Sequence, residues 1–167
     1  SGSGSVASSN VQTSQSITNG TLALNDGTGL ASNYNLTTGT FDITQRWVNL
    51  TGTRSYDGTT TADSSDLTIS NLVSGETLGL TGNGTVASKN VGSNKAITDV
   101  SLTLTDGSGL AANYTIGAKT LNITQKAITI DGSKVYDGNT VVSAANISTF
   151  NGLALTETLT INGTGSV

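Results

Sequence analysis

An internal repeat of 80 residues sets the terms for everything else in this chain. Laid without a gap over residues 81–140, residues 1–60 give 27 identities. GSVASSNV (4–11) falls on GTVASKNV (84–91), DGTGLASNY (26–34) on DGSGLAANY (106–114), FDITQ (41–45) on LNITQ (121–125), and RSYDGTT (54–60) on KVYDGNT (134–140). All four tyrosines obey the repeat. Beyond Gly58 the match continues with one inserted residue, so that TGNGTV (81–86) returns as NGTGSV (162–167). The 167 residues span just over two periods. A period of this length is too long for one solenoid turn and fits a chain of small domains, each burying a thin core and touching mainly its neighbours. No Pro-rich or Ser/Gly linker separates the copies, because ITQ runs straight into RWVNL and ITQKAITI; a stiff junction is expected.

Within each period the apolar residues alternate: Val100, Leu102 and Leu104; Leu121 and Ile123; Ile128 and Ile130; Leu67 and Ile69; Leu78 and Leu80. This is the signature of half-buried strands. Gly-containing dipeptides punctuate them at Asn19-Gly20, Asp26-Gly27, Asp57-Gly58, Asp106-Gly107, Asp131-Gly132, Asp137-Gly138 and Asn151-Gly152, where glycine supplies the positive φ of tight turns. Charged residues make up only 11% of the chain, too few for the Glu- and Lys-rich surfaces of long helices, and the abundance of Thr favours strands. The segments 62–72 and 142–153 have room for one short helical turn each. The fold class expected is all-β: tandem small β domains, β-sandwich or β-grasp-like, in an elongated array with no long helices.

The composition removes much of enzymology. With no His or Cys there is no imidazole base, no thiolate nucleophile and no usual zinc site. Ser and Thr are abundant, but nothing is placed to activate them. The expectation is that the chain is not an enzyme and takes no cofactor. A net charge of −4, with seven scattered Lys and Arg, offers no basic stripe for phosphates, so nucleic acid is not expected as a partner. No apolar run approaches a membrane span, and Ser1 opens no signal peptide, so the chain reads as a soluble, internal segment. Freedom from both Cys and Met suits an exposed life outside the cell.

The motifs Tyr56-Asp57-Gly58 and Tyr136-Asp137-Gly138, KNVG (89–92), Asn113-Tyr114 and the closing ITQ, in that order and spacing, resemble the YDG repeat family. That family and its MBG relatives occur in large bacterial surface adhesins and filamentous-haemagglutinin-like exoproteins. Two departures are visible: the first copy reads SNVQ (9–12) against KNVG, and both copies end in ITQ where the family usually has ITP. The family's phase implies that residues 1–45 are the C-terminal half of a preceding repeat, 46–125 a complete repeat, and 126–167 the N-terminal half of a following one. Half-repeats at both ends would expose strand edges, favouring end-to-end or strand-swapped self-association.

The residues singled out as a structural motif are Tyr56, Asp57, Gly58, Tyr136, Asp137 and Gly138, with Asn33, Tyr34, Asn113 and Tyr114. Each Tyr-Asp-Gly reads either as a recognition element or as a turn; the residue types favour the turn, with a ring packed over a small core and a hydroxyl tying down the chain. Asp26, Asp57, Asp106 and Asp137 are calcium candidates, with Asp63 and Asp66 as extra donors, although each loop lacks the further carboxylates of a strong site. Trp47, where the next copy has Ala127, is expected to fill a gap between repeats. The resemblance implies a repetitive stalk or spacer of a bacterial cell-surface or secreted adhesin, associated with the outer membrane, that projects a binding domain for adhesion or biofilm formation. Its partners would be neighbouring repeats of the same chain. The alternative is that the repeats themselves bind host glycan, matrix protein or sister repeats.

Overall fold

The computed structural model describes residues 2–99 and 101–166, with Asp99 described by its backbone alone. Its strands are β1 (Gln12–Ser16), β2 (Thr40–Ile43), β3 (Arg46–Ser55), β4 (Thr61–Asp63), β5 (Leu67–Ser70), β6 (Leu78–Thr81), β7 (Asn83–Val86), β8 (Gly92–Asp99), β9 (Thr103–Asp106), β10 (Tyr114–Thr124), β11 (Thr129–Gly132), β12 (Val141–Ser143), β13 (Ile147–Asn151) and β14 (Thr164–Ser166). The only helical elements among the described residues are 3₁₀ turns at Ala31–Asn33, Ser64–Asp66, Ala111–Asn113 and Ala144–Asn146. The all-β class therefore holds. Two of the turns fall in the segments expected to hold them, and the other two are copies of each other, 80 residues apart.

β3 shows how the sequence makes a strand: Val48, Leu50 and Arg54 are buried on one face, while Trp47, Asn49, Thr51 and Thr53 are exposed on the other. This period of two is what pleating dictates. The largest sheet described has six strands in the order β4-β7-β8-β10-β3-β5, and β1-β2, β6-β9, β11-β13 and β12-β14 form separate two-stranded sheets. The chain divides into two compact units, and the long strands β3 and β10 contribute residues to both.

The first unit comprises Ser1–Asn49, Ile69–Gly79 and Leu104–Ala118. Val48 and Tyr114 are its buried apolar residues, and β1 pairs antiparallel with β2 through Gln15↔Phe41 and Ser16↔Thr40. Trp47 is 64% exposed rather than packed in a gap between repeats. Its indole lies over Gly117, where a Cβ would come within 3.1 Å of the ring. A side chain at 117 would displace the indole, so the tryptophan covers backbone on the outer side of the sheet.

The second unit comprises Leu50–Thr68, Leu80–Thr103 and Lys119–Val167. Antiparallel ladders join β4 to β7 (Ala62↔Gly84), β7 to β8 (Val86↔Ile97) and β8 to β10 (Ala96↔Thr120, Lys95↔Leu121). Leu50, Ala62, Val86, Ile97, Leu102, Leu121 and Ile123 form the core, with Ala154 also buried. Leu104 lies in β9 and Leu102 just before it; Val100 lies outside the described residues.

A bulge recurs in both copies. Ser14 in β1 and Asn94 in β8 have φ near +54° and +51°, the left-handed region that is uncommon for residues other than glycine. Each amide that the bulge turns out of the ladder is taken by a side chain of the partner strand: Ser14 N–H by Asp42 Oδ1 at 2.6 Å, Asn94 N–H by Asn122 Oδ1 at 2.7 Å. The glycine turns divide. Gly20, Gly58, Gly138 and Gly152 do adopt positive φ, but Gly27, Gly107 and Gly132 do not. At Gly107 and Gly132 the requirement is close approach: a Cβ would lie 2.4 Å from the Thr77 carbonyl oxygen and 2.1 Å from that of Asn146.

Equivalent positions differ sharply in burial. Leu121 is fully buried, whereas its counterpart Phe41 is 54% exposed. Val48 and Leu50 are likewise buried, and Ile128 and Ile130 exposed. Equivalent positions are thus buried within 46–125 and exposed in 1–45 and 126–167.

Candidate functional site

The Tyr-Asp-Gly turns are built alike. Asp57 Oδ1 accepts the Thr59 amide at 2.8 Å and the Thr59 hydroxyl at 3.0 Å, an Asx turn, and faces the guanidinium of buried Arg54. Arg54 Nη2 also donates to the Thr59 carbonyl at 2.8 Å. Burial pushes the Asp57 carboxyl up, but the Thr59 amide and Arg54 outweigh it and hold its pKa below the ordinary value. In the next copy Lys134 replaces Arg54: its Nζ is 2.9 Å from Asp137 Oδ1 and also donates to the carbonyls of Asn139 and Val141. Lys134 first, then the Asn139 amide, lowers the Asp137 pKa. A basic residue three before the aspartate thus closes each turn. The pairing was visible in RSYDG and KVYDG but was not anticipated, because it joins residues on opposite sides of a turn.

The calcium candidates are engaged by protein donors. Asp26 Oδ1 caps the Ala31 amide and Asp106 Oδ1 the Ala111 amide, both at 2.7 Å, so this aspartate fastens the 3₁₀ turn before the Asn-Tyr pair. Asp57 and Asp137 each face a cation. Asp63 precedes the 3₁₀ turn at Ser64–Asp66 and Asp66 ends it, Asp63 exposed and Asp66 partly so. Among the described residues no three His, Cys, Asp or Glu side chains converge as a metal-binding group.

The tyrosines do not share one environment. Tyr114 is buried; its hydroxyl donates to Glu76 Oε2 and accepts the Val73 amide at 3.3 Å. Glu76, then burial, raises its pKa. Tyr34, its counterpart, is 69% exposed. Tyr56 is half-buried: its backbone N–H donates to the Thr124 carbonyl at 2.9 Å and its hydroxyl to Glu157 Oε1. Tyr136 is almost wholly exposed. Packing of the ring therefore applies to Tyr56 and Tyr114 and not to Tyr34 and Tyr136.

Two junctions between copies emerge. In the second unit, Glu157 Oε1 accepts both the Tyr56 hydroxyl and Lys89 Nζ, the latter at 2.5 Å, and Lys89 Nζ lies 5.9 Å from the centroid of the Tyr56 ring. Gly58, at φ +82°, lies against Ala154 and Leu155. Lys89, then Tyr56, lowers the Glu157 pKa, and Glu157, then Tyr56, raises that of Lys89. In the first unit, Asn113 Oδ1 accepts the Val11 amide and Asn113 Nδ2 donates to Asn10 Oδ1, both at 2.9 Å, while Gln45 Nε2 donates to the Ala112 carbonyl at 3.1 Å. Asn33 is exposed. Glu157 escaped sequence reasoning because it stands beyond the one-residue insertion, where it aligns with Glu76.

No helix of the described residues is long and apolar enough to cross a membrane. No curated protein and no solved structure matches the chain significantly. The family model of the YDG domain matches residues 44–122. That stretch contains β3 through most of β10, with the first Tyr-Asp-Gly turn, KNVG and the Asn-Tyr pair in place. Residues 44–122 are a YDG domain.

Proposed function

We propose that the chain is a tandem-repeat segment of the stalk of a large bacterial cell-surface or secreted adhesin, held outside the cell at the outer membrane. It projects a binding domain for adhesion or biofilm formation and performs no catalysis. The observation that carries this reading is the contact of Glu157 with Tyr56 and Lys89: one copy is tied to the next by side chains, with no flexible linker between them. Repetition supplies reach and tied junctions supply stiffness. The apolar positions exposed in 1–45 and 126–167 favour self-association of the isolated chain, end to end or by strand exchange.

A second reading, in which the repeats themselves bind host glycan, matrix protein or sister repeats, draws on the exposed Trp47 and Tyr136. The experiment that separates the two is binding of the labelled chain to host cells, extracellular matrix and its own immobilised copies, with and without calcium. The stalk reading expects no saturable binding to cells or matrix. Saturable binding there, lost in Trp47→Ala or Tyr136→Ala, would replace it with the second reading.

A further inference from the structure

The motifs that recur every 80 residues divide into two sets. Tyr56 and Lys89 reach Glu157 of the following copy, and Asn10, Val11 and Gln45 reach Asn113 and Ala112 of the copy after their own; Ser9 is the first-copy counterpart of Lys89, and Asn90, Val91 and Gln125 are the second-copy counterparts of Asn10, Val11 and Gln45. The receiving groups seen are Ala112, Asn113 and Glu157; Glu76 is the counterpart of Glu157 in the preceding copy, and Tyr114 is held by it. The two junctions display different parts of this relationship. One shows Asn113 holding the Asn10-Val11 segment and Gln45 reaching Ala112. The other shows the glutamate holding the preceding tyrosine and lysine. Within residues 46–125, Glu76 holds the repeat's own Tyr114 through Oε2. In the second junction the matching glutamate, Glu157, uses Oε1. A carboxylate has about four lone-pair positions, enough for all three donors.

We propose that this glutamate is the pivot of a recurring clasp between successive repeats. It accepts the Tyr-Asp-Gly tyrosine and the KNVG lysine of the preceding repeat and the Asn-Tyr tyrosine of its own, while the neighbouring asparagine grips the preceding Asn-Val segment. The partner of the face formed by Glu76, Asn113 and Tyr114 is then a second copy of this repeat, docked head to tail. Turn chemistry alone gives no reason for the Asn-Tyr pair to recur together with the Asn-Val pair and ITQ, whereas one docking surface accounts for all of them. The clasp also explains a difference between copies. Ser9 stands where the second copy has Lys89, so the junction served by Glu76 lacks the cation that Glu157 has. The inference stands whether or not the array serves as a stalk.

In the 167-residue chain, Tyr56→Phe, Lys89→Ser and Glu157→Gln, made singly and as the Tyr56→Phe/Glu157→Gln pair, test the observed half. The pair is expected to depart from the product of its single effects on the unfolding equilibrium constant by about twofold or more. NMR signals of the Tyr56 ring should move in Glu157→Gln while those of Tyr114 stay. Additive effects with an unmoved Tyr56 ring would overturn the clasp. The bridging half is tested in the full chain extended by a further copy of residues 46–125 placed after Gln125. Replacing the inserted copy's glutamate with Gln is expected to move two rings, the preceding copy's Tyr56 and the inserted copy's own Tyr114. Movement of one ring or neither would overturn the pivot. Should that variant not fold, Tyr56→Phe in the preceding copy is expected to move the inserted copy's Tyr114 ring, and an unmoved ring would overturn it equally.

Discussion

Tyr56 donates its hydroxyl to Glu157, 101 residues further along the chain and in the next copy of the repeat. The tyrosine of the Tyr-Asp-Gly motif thus looks forward to the next copy, and the same carboxylate oxygen accepts Lys89. Charge at this point ties the fold to pH.

Three carboxyls, Glu157, Asp57 and Asp137, have folded pKa values below their ordinary ones. Each contributes stability that is present above the unfolded carboxyl range, about pH 4, and is lost as pH falls through the folded value. Lys89 and Tyr114 are raised; their contribution is full below about pH 10 and is lost as pH rises through their folded values. Melting temperature against pH should form a plateau with losses at both ends. Glu157→Gln should shallow both limbs, since it removes the partner of Lys89 as well. Limbs unchanged in Glu157→Gln would show that the junction charges play no part.

The repeat supplies its own control for core packing. Leu121→Ala empties a fully buried position and should cost about 2–5 kcal/mol. Phe41→Ala, at the matching half-exposed position, should cost about 0.5 kcal/mol or a little more. Denaturant titration of the two variants reads the contrast directly, and equal costs would contradict the difference in burial.

Gly58 and Gly138 share a positive φ, so alanine at either should be strained by about 1 kcal/mol. At Gly58 the new Cβ would also come within 3.0 Å of Leu155 Cδ1, whereas nothing lies within 4 Å at Gly138. Gly58→Ala should therefore be the more destabilising of the pair in chemical denaturation.

Arg54 is buried and its partner Asp57 half-exposed. Arg54→Ala removes the cation and the bond to the Thr59 carbonyl, at a cost of about 1–3 kcal/mol. Arg54→Lys should recover most of that, because Lys134 closes the same turn in the next copy. A lysine variant as unstable as the alanine variant would show that bidentate geometry, not the cation, holds the turn.

The strand class, the repeat and two of the four 3₁₀ turns were legible because they rest on period and local turn chemistry, which the sequence carries within a few residues. β8 was harder to see: GSNKAITD has Ile97 as its one large apolar residue, and its strand character comes from pairing with β7 and β10. The tyrosines were recognisable as motif residues, but their different burial is set by partners distant in sequence, such as Val73 and Glu76 against Tyr114. Gly107 and Gly132 read as turn glycines, yet each is required by a carbonyl far away in sequence. Beyond the basic residue three before each aspartate and the 3₁₀ turns before the Asn-Tyr pairs, what stayed hidden was long-range, Glu157 most of all.

The glutamate, its two tyrosines, the lysine and the asparagine are all encoded inside one 80-residue period. Within the proposed clasp, a duplication or deletion of any whole number of periods leaves complementary faces at every joint. A gene of this kind can lengthen or shorten its product by recombination between copies without inventing a new interface. The reach of the protein becomes a heritable variable adjusted in steps of one repeat.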